Sequence, residues 1–166
     1  MLEELRLVLE SAADGMSLEE MSWHLPEKWS AAEVLEHLYL TYSGTVKGFE
    51  RLLEADKPLA MRASMRQRLR TLVVLRFSYL PEGRKAPRQT VPRGLPAEKV
   101  RSEVQTEIAA MDAIIARCEA RFGSGKVLDH PILGPLTAAQ WRKFHLIHGR
   151  HHGKQILRLR ELAKTG

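Results

Sequence analysis

Apolar residues recur every three or four positions through most of this chain, which is the spacing of helices that bury one face. The pattern predicts helices over residues 2–13, from 30 to about 54, over 60–79, over about 97–122 and from 137 to about 163. Two of these helices begin with capping-box sequences, Ser30-Ala-Ala-Glu33 and Thr137-Ala-Ala-Gln140. No segment alternates apolar and polar residues as a strand would. We therefore predict an all-α fold, with four long amphipathic helices and a shorter N-terminal one.

Two segments between the predicted helices are rich in proline and glycine. Residues 81–96 form a loop that is long for a compact domain, which is typical of a functional or mobile segment. Its basic residues are Arg84, Lys85, Arg88 and Arg93. Residues 126–136, which include Pro131, Gly134 and Pro135, are predicted to be a connector.

Length and composition narrow the class of protein. The chain has 166 residues and a formal net charge of +6, and 44% of its residues are hydrophobic. These values predict one globular domain over 1–166. A single cysteine, Cys118, excludes a disulfide framework and cysteine-rich metal sites, and we expect it to be a buried apolar residue. Apolar runs such as Leu72–Leu75 are far shorter than a membrane span, and the N-terminus lacks a signal-peptide pattern, so we expect a cytoplasmic protein without a membrane partner.

Histidine is the unusual residue of this composition. Four of the seven histidines fall between positions 145 and 152. On a helical wheel one stripe, about 80° wide, has the spacing of a core-facing seam. It contains Trp141, His145, His148, His152, Gln155 and Leu159. Buried imidazoles need hydrogen-bonding or metal partners, so this seam calls for an explanation.

The spacing of His148 and His152 lets two imidazoles on one helix face bind the same ion. No glutamate lies between them, which excludes the metalloprotease arrangement, and His145 with His148 forms a competing pair. A facing helix must supply further ligands. His37 is the only histidine in another predicted helix, and it is followed at helical spacing by the small residues Thr41, Gly44 and Gly48.

Two readings of these histidines stay open on spacing alone. Three neutral imidazoles with water would form an open site for zinc, nickel or another divalent ion. The glycines would then allow a ligand or a neighbouring helix to approach closely. In the other reading the histidines are hydrogen-bonded core residues. We expect His24 and His151 to face solvent, and His130 to be a turn residue or a neighbour of the site.

Two segments resemble the DinB/YfiT-like metalloenzyme superfamily. They are Trp29-Ser-Ala-Ala-Glu-Val-Leu-Glu-His37-Leu38 and His148-Gly-Arg-His-His152-Gly-Lys-Gln155-Ile156. The segment from His130 to Trp141 is similar to a connector of one uncharacterised branch. The resemblance extends from about residue 23 to residue 160. It implies a DinB/YfiT-like four-helix bundle with a short additional helix, and one divalent metal ion held by His37, His148 and His152.

The resemblance also implies roles for neighbouring residues and a class of reaction. His145 is outside the ligand pattern and would be a second-layer or pocket residue, while Gln155 would orient a ligand or water. Characterised members of the superfamily include transferases and isomerases that use a low-molecular-weight thiol such as bacillithiol, mycothiol or glutathione. A metal-bound thiol is held as the nucleophilic thiolate.

We therefore expect a divalent-metal-dependent enzyme, a thiol S-transferase or hydrolase acting on a small-molecule substrate. The basic loop 84–93 would hold the carboxylates of a thiol. One alternative is a metal-free bundle for interaction or dimerisation, such as a homodimer. Another is a nucleic-acid-binding module using Arg62, Arg66, Arg68, Arg70 and Arg76, but no reader motif supports it and we do not expect it.

Overall fold

Six α-helices and one short β-hairpin make up the described part of the chain, residues 2–81, 83 and 85–164 of a computed structural model. The helices are α1 (Glu3–Ala13), α2 (Leu18–Ser22), α3 (Ala31–Ala55), α4 (Met65–Phe77), α5 (Ala97–Phe122) and α6 (Ala138–Ala163). The strands are β1 (Lys126–His130) and β2 (Gly134–Thr137), and a 3₁₀ turn covers Arg88–Thr90. The all-α prediction is confirmed. No helix in the described ranges is long and apolar enough to cross a membrane.

Helices α1, α3, α5 and α6 form a four-helix bundle. Helix α3 packs along α5, α1 packs along α6, and α6 also contacts α3 and α5. Their apolar faces meet in one core around Tyr42, Phe49 and Met111. Both predicted capping boxes are present, since Ser30 and Thr137 each accept a hydrogen bond from the backbone of the first helical turn. These caps fix where the two site-bearing helices begin.

Helix α4 is shorter than predicted and lies outside the bundle. It begins at Met65 after a capping box formed by Ser64 and Gln67, and only Val74 and Leu75 in it are buried. The preceding residues follow β1 instead of continuing a helix. The Leu59 amide donates to the Val127 carbonyl at 2.9 Å, and the Met61 amide donates to the Asp129 carboxylate at 3.2 Å.

The predicted connector over 126–136 contains a β-hairpin that the sequence analysis missed. Strands β1 and β2 pair antiparallel, with His130 opposite Gly134. The turn between them ends at Gly134, whose φ of +72° favours glycine. Four or five residues per strand are too few to show a clear alternation of apolar and polar positions. The hairpin carries His130 to the end of the bundle where α6 begins.

Close helix packing uses glycines on α6, not the predicted glycines on α3. A Cβ on Gly149 would lie 1.9 Å from Leu5 Cδ1, and one on Gly153 would lie 2.8 Å from Val8 Cγ1. Helix α1 therefore approaches the backbone of α6. A Cβ on Gly48 would meet Leu128 of β1 at 2.9 Å, and one on Gly44 would meet nothing within 4 Å.

Alanine substitutions at two glycines should change stability in opposite directions. Gly149→Ala should lower the free energy of unfolding by about 1–3 kcal/mol, because the new methyl group overlaps the fully buried Leu5. Gly44→Ala should raise it by up to about 1 kcal/mol, because alanine favours the helix and the space is open. Urea denaturation measures both, and equal stabilisation by the two variants would contradict this packing.

Candidate metal centre

The structure brings together the three histidines predicted as ligands. His37 comes from α3, and His148 and His152 come from successive turns of α6. One nitrogen from each lies within 4.8 Å of the other two. The Nε2 atom of His148 is 3.4 Å from that of His37 and 3.1 Å from that of His152. His37 is 5% exposed and His152 is 9% exposed, while His148 is only partly buried, so the group is partly shielded from bulk water.

Hydrogen bonds on the far side of two rings set their tautomers. The Nδ1–H of His37 donates to the Thr90 carbonyl at 2.8 Å, and the Nδ1–H of His152 donates to Gln155 Oε1 at 3.0 Å. A neutral imidazole with its proton on Nδ1 has an unprotonated Nε2. The lone pairs of His37 and His152 therefore face His148. This is the arrangement in which histidine ligands are held ready for a metal ion.

Burial keeps all three imidazoles neutral. It lowers the pKa of His152 to about 3, with a further contribution from the nearby His37. The pKa of His148 falls well below its ordinary value, because the ring is buried and other imidazoles surround it. Burial also lowers the pKa of His37, although the hydrogen bond to Thr90 opposes this. Neutral imidazole is the form that binds metal ions.

Glu36, which the sequence analysis did not single out, anchors the loop that orients His37. Its carboxylate is 1% exposed and accepts hydrogen bonds from three successive backbone amides. The donors are Arg93 at 2.7 Å, Gly94 at 3.0 Å and Leu95 at 3.0 Å. Thr90 in the same loop accepts a hydrogen bond from His37, so two adjacent residues of α3, Glu36 and His37, hold this loop. The sequence does contain a signal for this role, because a glutamate is unusual within the apolar face of a predicted helix.

His145 lies next to the three-histidine group without joining it. It is fully buried, and its Nε2 is 3.1 Å from Thr45 Oγ1. Because the Thr45 hydroxyl donates to the Thr41 carbonyl at 3.0 Å, the His145 ring donates to Thr45 from Nε2. Its ring stacks on Trp141, with centroids 5.6 Å apart. His145 therefore contributes to the packing between α3 and α6.

Aromatic rings surround the three histidines. Trp29 lies 5.3 Å from the His37 ring, and Phe144 stacks on His148 at 5.3 Å between centroids. His130 contacts Phe144 at 4.3 Å and also accepts the Ile132 amide at 3.1 Å through Nδ1. Both predicted positions of His130 thus apply, since it closes the hairpin turn and adjoins the wall of the site.

The remaining candidate residues that the structure describes are outside the three-histidine group, although the His151 ring lies 5.1 Å from the His152 ring. Cys118 is buried, as expected, and burial raises the pKa of its thiol to about 11, so it is no nucleophile. His24 is exposed, whereas His151 is only partly exposed, which the sequence analysis did not expect. In the basic loop, Lys85, Arg88 and Arg93 are exposed. Arg84 lies outside the described residues.

Comparison with known families assigns the chain to one of them. A family model described as "Protein of unknown function (DUF1569)" matches residues 4–158. The chain belongs to the DUF1569 family. The matched range includes the whole three-histidine group, together with Glu36, Thr90 and Gln155. No curated protein and no solved structure matches the chain. The family description names no activity.

Burial of His145 should make the metal-free protein less stable in acid. Its pKa is lowered from 6.5 to about 3 by burial and by the neighbouring His130, so unfolding takes up a proton below pH 6.5. The free energy of unfolding should fall as the pH drops from 6.5 towards 3. His145→Gln should reduce that slope by about 1.4 kcal/mol per pH unit. Urea denaturation between pH 6 and pH 4 measures it.

The exposed His24 provides the matched control for this slope. His24→Gln should leave the slope as it is in wild type, because it changes an exposed side chain outside the core. The rings and groups facing His145 from α3 and β1, chiefly Tyr42 and His130, are the same in all variants. An unchanged slope in His145→Gln would show that His145 is not kept neutral by the fold.

Replacing Glu36 by glutamine should loosen the loop and disturb the tautomer of His37. The amide has one acceptor oxygen and turns an N–H₂ group towards backbone donors, which costs about 2 kcal/mol of stability. Glu54→Gln, at an exposed position of α3, is the control and should cost less than about 0.5 kcal/mol. Nitrogen NMR of the ring should show the Nδ1–H form of His37 in wild type and a tautomer mixture in Glu36→Gln. An unchanged His37 spectrum would contradict the positioning role.

Proposed function

We propose that this protein is a metal-dependent enzyme that holds one divalent ion on His37, His148 and His152. The observation that carries the proposal is the convergence of three neutral imidazoles, with one nitrogen of each within 4.8 Å of the others. Two of these rings have their other nitrogen committed to Thr90 and Gln155. A lone pair facing another lone pair is unfavourable in a buried site, and a cation between them removes that cost.

The donor set indicates which ions fit. Three imidazole nitrogens suit zinc, nickel and other borderline divalent ions better than magnesium or calcium, which prefer oxygen. Three protein ligands are one fewer than a closed structural zinc site has, so a position for water or substrate stays open. We propose zinc or nickel as the ion. Bound there, it would supply a Lewis acid that favours the thiolate form of a thiol or the hydroxide form of water.

The described residues around this group would bind a small substrate and exclude water. Trp29 and Phe144 place aromatic faces beside His37 and His148. The loop fixed by Glu36 lies over His37 and carries the exposed bases Arg88 and Arg93. Exposed guanidinium groups near a buried site favour carboxylate recognition. These features support a low-molecular-weight thiol as co-substrate and make an S-transferase our first candidate, with a hydrolase as the second.

A metal-free role for the same histidines is the main competing function. The His148 Nε2 lies within hydrogen-bond range of His152 Nε2, at 3.1 Å. If that nitrogen carried the proton of His148, the three rings would form a hydrogen-bonded core and the bundle would serve as an interaction module. Among the described residues, the buried Nδ1 of His148 has no hydrogen-bond partner. This is the same whether or not a metal ion is bound, so it does not distinguish the two functions.

Metal content, measured by mass spectrometry on tag-free protein, separates the two functions. We expect about one equivalent of metal in wild type, because three imidazoles in one place bind an ion tightly. His148→Ala and His152→Ala should each lose it. His151→Ala is the matched control, because His151 neighbours His152 but lies outside the three-histidine group, and it should retain the ion.

Two results would overturn the proposal. Wild-type protein that takes up no metal after incubation with zinc, nickel or manganese would make the histidines structural. Equal metal content in wild type and His148→Ala would locate the ion elsewhere. If wild type binds the ion and the two alanine variants do not, an activity test follows. Attachment of the sulfur of bacillithiol, mycothiol or glutathione to a simple electrophile should require the ion and be lost in His152→Ala. Ion-dependent ester hydrolysis without thiol would favour the hydrolase.

A further inference from the structure

The surface of α4 and its preceding loop concentrates exposed apolar side chains. Within the described residues, half of the large hydrophobic side chains that face solvent lie between positions 59 and 79. We call this region the α4 surface, and it consists of Leu59, Met61, Met65, Leu69, Leu72, Phe77 and Tyr79. Met65 is 76% exposed and Phe77 is 68% exposed. Such clustering is unusual for a surface that serves only to face water.

Helix α4 has two apolar faces, and the fold uses only one of them. Val74 and Leu75 are buried against the rest of the protein. Met65, Leu69 and Leu72, at spacings of four and three residues, form a second stripe that points outward. The sequence pattern places this helix in the bundle and predicts that its apolar residues are buried. Their exposure makes the outward stripe an unpartnered surface.

The α4 surface is also strongly cationic. No acidic residue occurs between Asp56 and Glu82, whereas Arg62, Arg66, Arg68, Arg70 and Arg76 are all exposed. None of these arginines takes part in a salt bridge described for this chain. On a helical wheel Arg66 and Arg68 flank the two sides of the apolar stripe, Arg76 continues along it, and Arg70 lies farther round the helix. An apolar stripe bordered by unpaired cations matches a surface that is apolar inside and anionic at its edge.

We propose that the α4 surface binds the face of an anionic phospholipid bilayer. The apolar stripe would enter the boundary between headgroups and acyl chains, and the flanking arginines would contact lipid phosphates. A groove of about 620 Å³ beside α4 extends this surface. The groove continues both the apolar and the cationic character of the α4 surface, since its lining includes Met61, Leu72 and Leu133 with the cations Arg68, Arg76 and Lys126.

Other occupants fit the α4 surface less well. A second copy of the chain would bring five arginines against five, which opposes pairing through this face. The arginines could contact the phosphates of RNA, but the Met and Leu side chains match no group of RNA. Of the α4 surface, only Phe77 and Tyr79 could stack on bases. A helix lying on a bilayer is compatible with the lack of a membrane-crossing helix among the described residues.

Vesicle flotation with the full chain tests this inference independently of the metal site. We expect the protein to float with phosphatidylcholine vesicles containing about a third phosphatidylglycerol, and to stay behind with phosphatidylcholine alone. Raising the salt from about 0.1 M to about 0.5 M should release it. Arg66→Gln with Arg68→Gln should weaken binding about 30-fold, since each cation near an anionic surface contributes about 1 kcal/mol. Leu69→Ser with Leu72→Ser should weaken it at least about tenfold.

Matched double variants elsewhere on the surface serve as controls. Arg51→Gln with Arg117→Gln removes two exposed arginines from α3 and α5, and Leu7→Ser with Leu157→Ser removes two exposed leucines. Both should bind vesicles like wild type. Every substituted side chain is exposed, so each variant should fold, and circular dichroism is the check. The inference fails if wild type does not float with anionic vesicles, if the control pairs weaken binding equally, or if the α4 surface binds single-stranded RNA and not vesicles.

Discussion

Burying the imidazole-rich face of α6 against α3 is the constraint on which the rest of the structure depends. A core seam that contains His145, His148 and His152 is stable only if each ring stays neutral and finds partners. Thr45 supplies one from α3 and Gln155 supplies another from within α6. The adjacent face of α6 carries Gly149 and Gly153, so α1 can close over that side of the helix. One helix therefore sets both the packing of the bundle and the position of the site.

The loop before α5 completes the same arrangement from outside the bundle. Glu36 gathers three backbone amides, and this brings the Thr90 carbonyl to the Nδ1–H of His37. The proton on Nδ1 leaves Nε2 free to face α6. The buried Glu36 carboxylate thus orients the ring of His37, the next residue in sequence, by holding the loop that contains Thr90. The two side chains leave α3 in different directions. The hydrogen bonds of Glu36 both stabilise the folded loop and fix the orientation of His37, so the stability of the protein and the geometry of the site are coupled.

Periodicity and capping predicted the local structure well, because both depend on residues near each other in sequence. The boxes at Ser30 and Thr137 mark the starts of α3 and α6, and the seam on α6 follows from its spacing. The meeting of His37 with His148 and His152 was expected from a family resemblance and from the lack of another helical histidine. Features set by tertiary contacts escaped prediction. Leu59 and Met61 each donate one backbone hydrogen bond to β1 instead of continuing a helix, α4 lies outside the bundle, and Glu36 finds its partners 57–59 positions away.

X-ray absorption on the zinc-loaded protein tests the central claim most directly, because it reports the atoms bound to the ion. We predict three nitrogen ligands at about 2.0–2.1 Å with the outer-shell scattering of imidazole rings, and one oxygen ligand from solvent. The His37→Ala protein should show fewer imidazoles or no bound zinc. An ion with one imidazole or none in wild type, or with the same imidazole count in His37→Ala, would contradict the account.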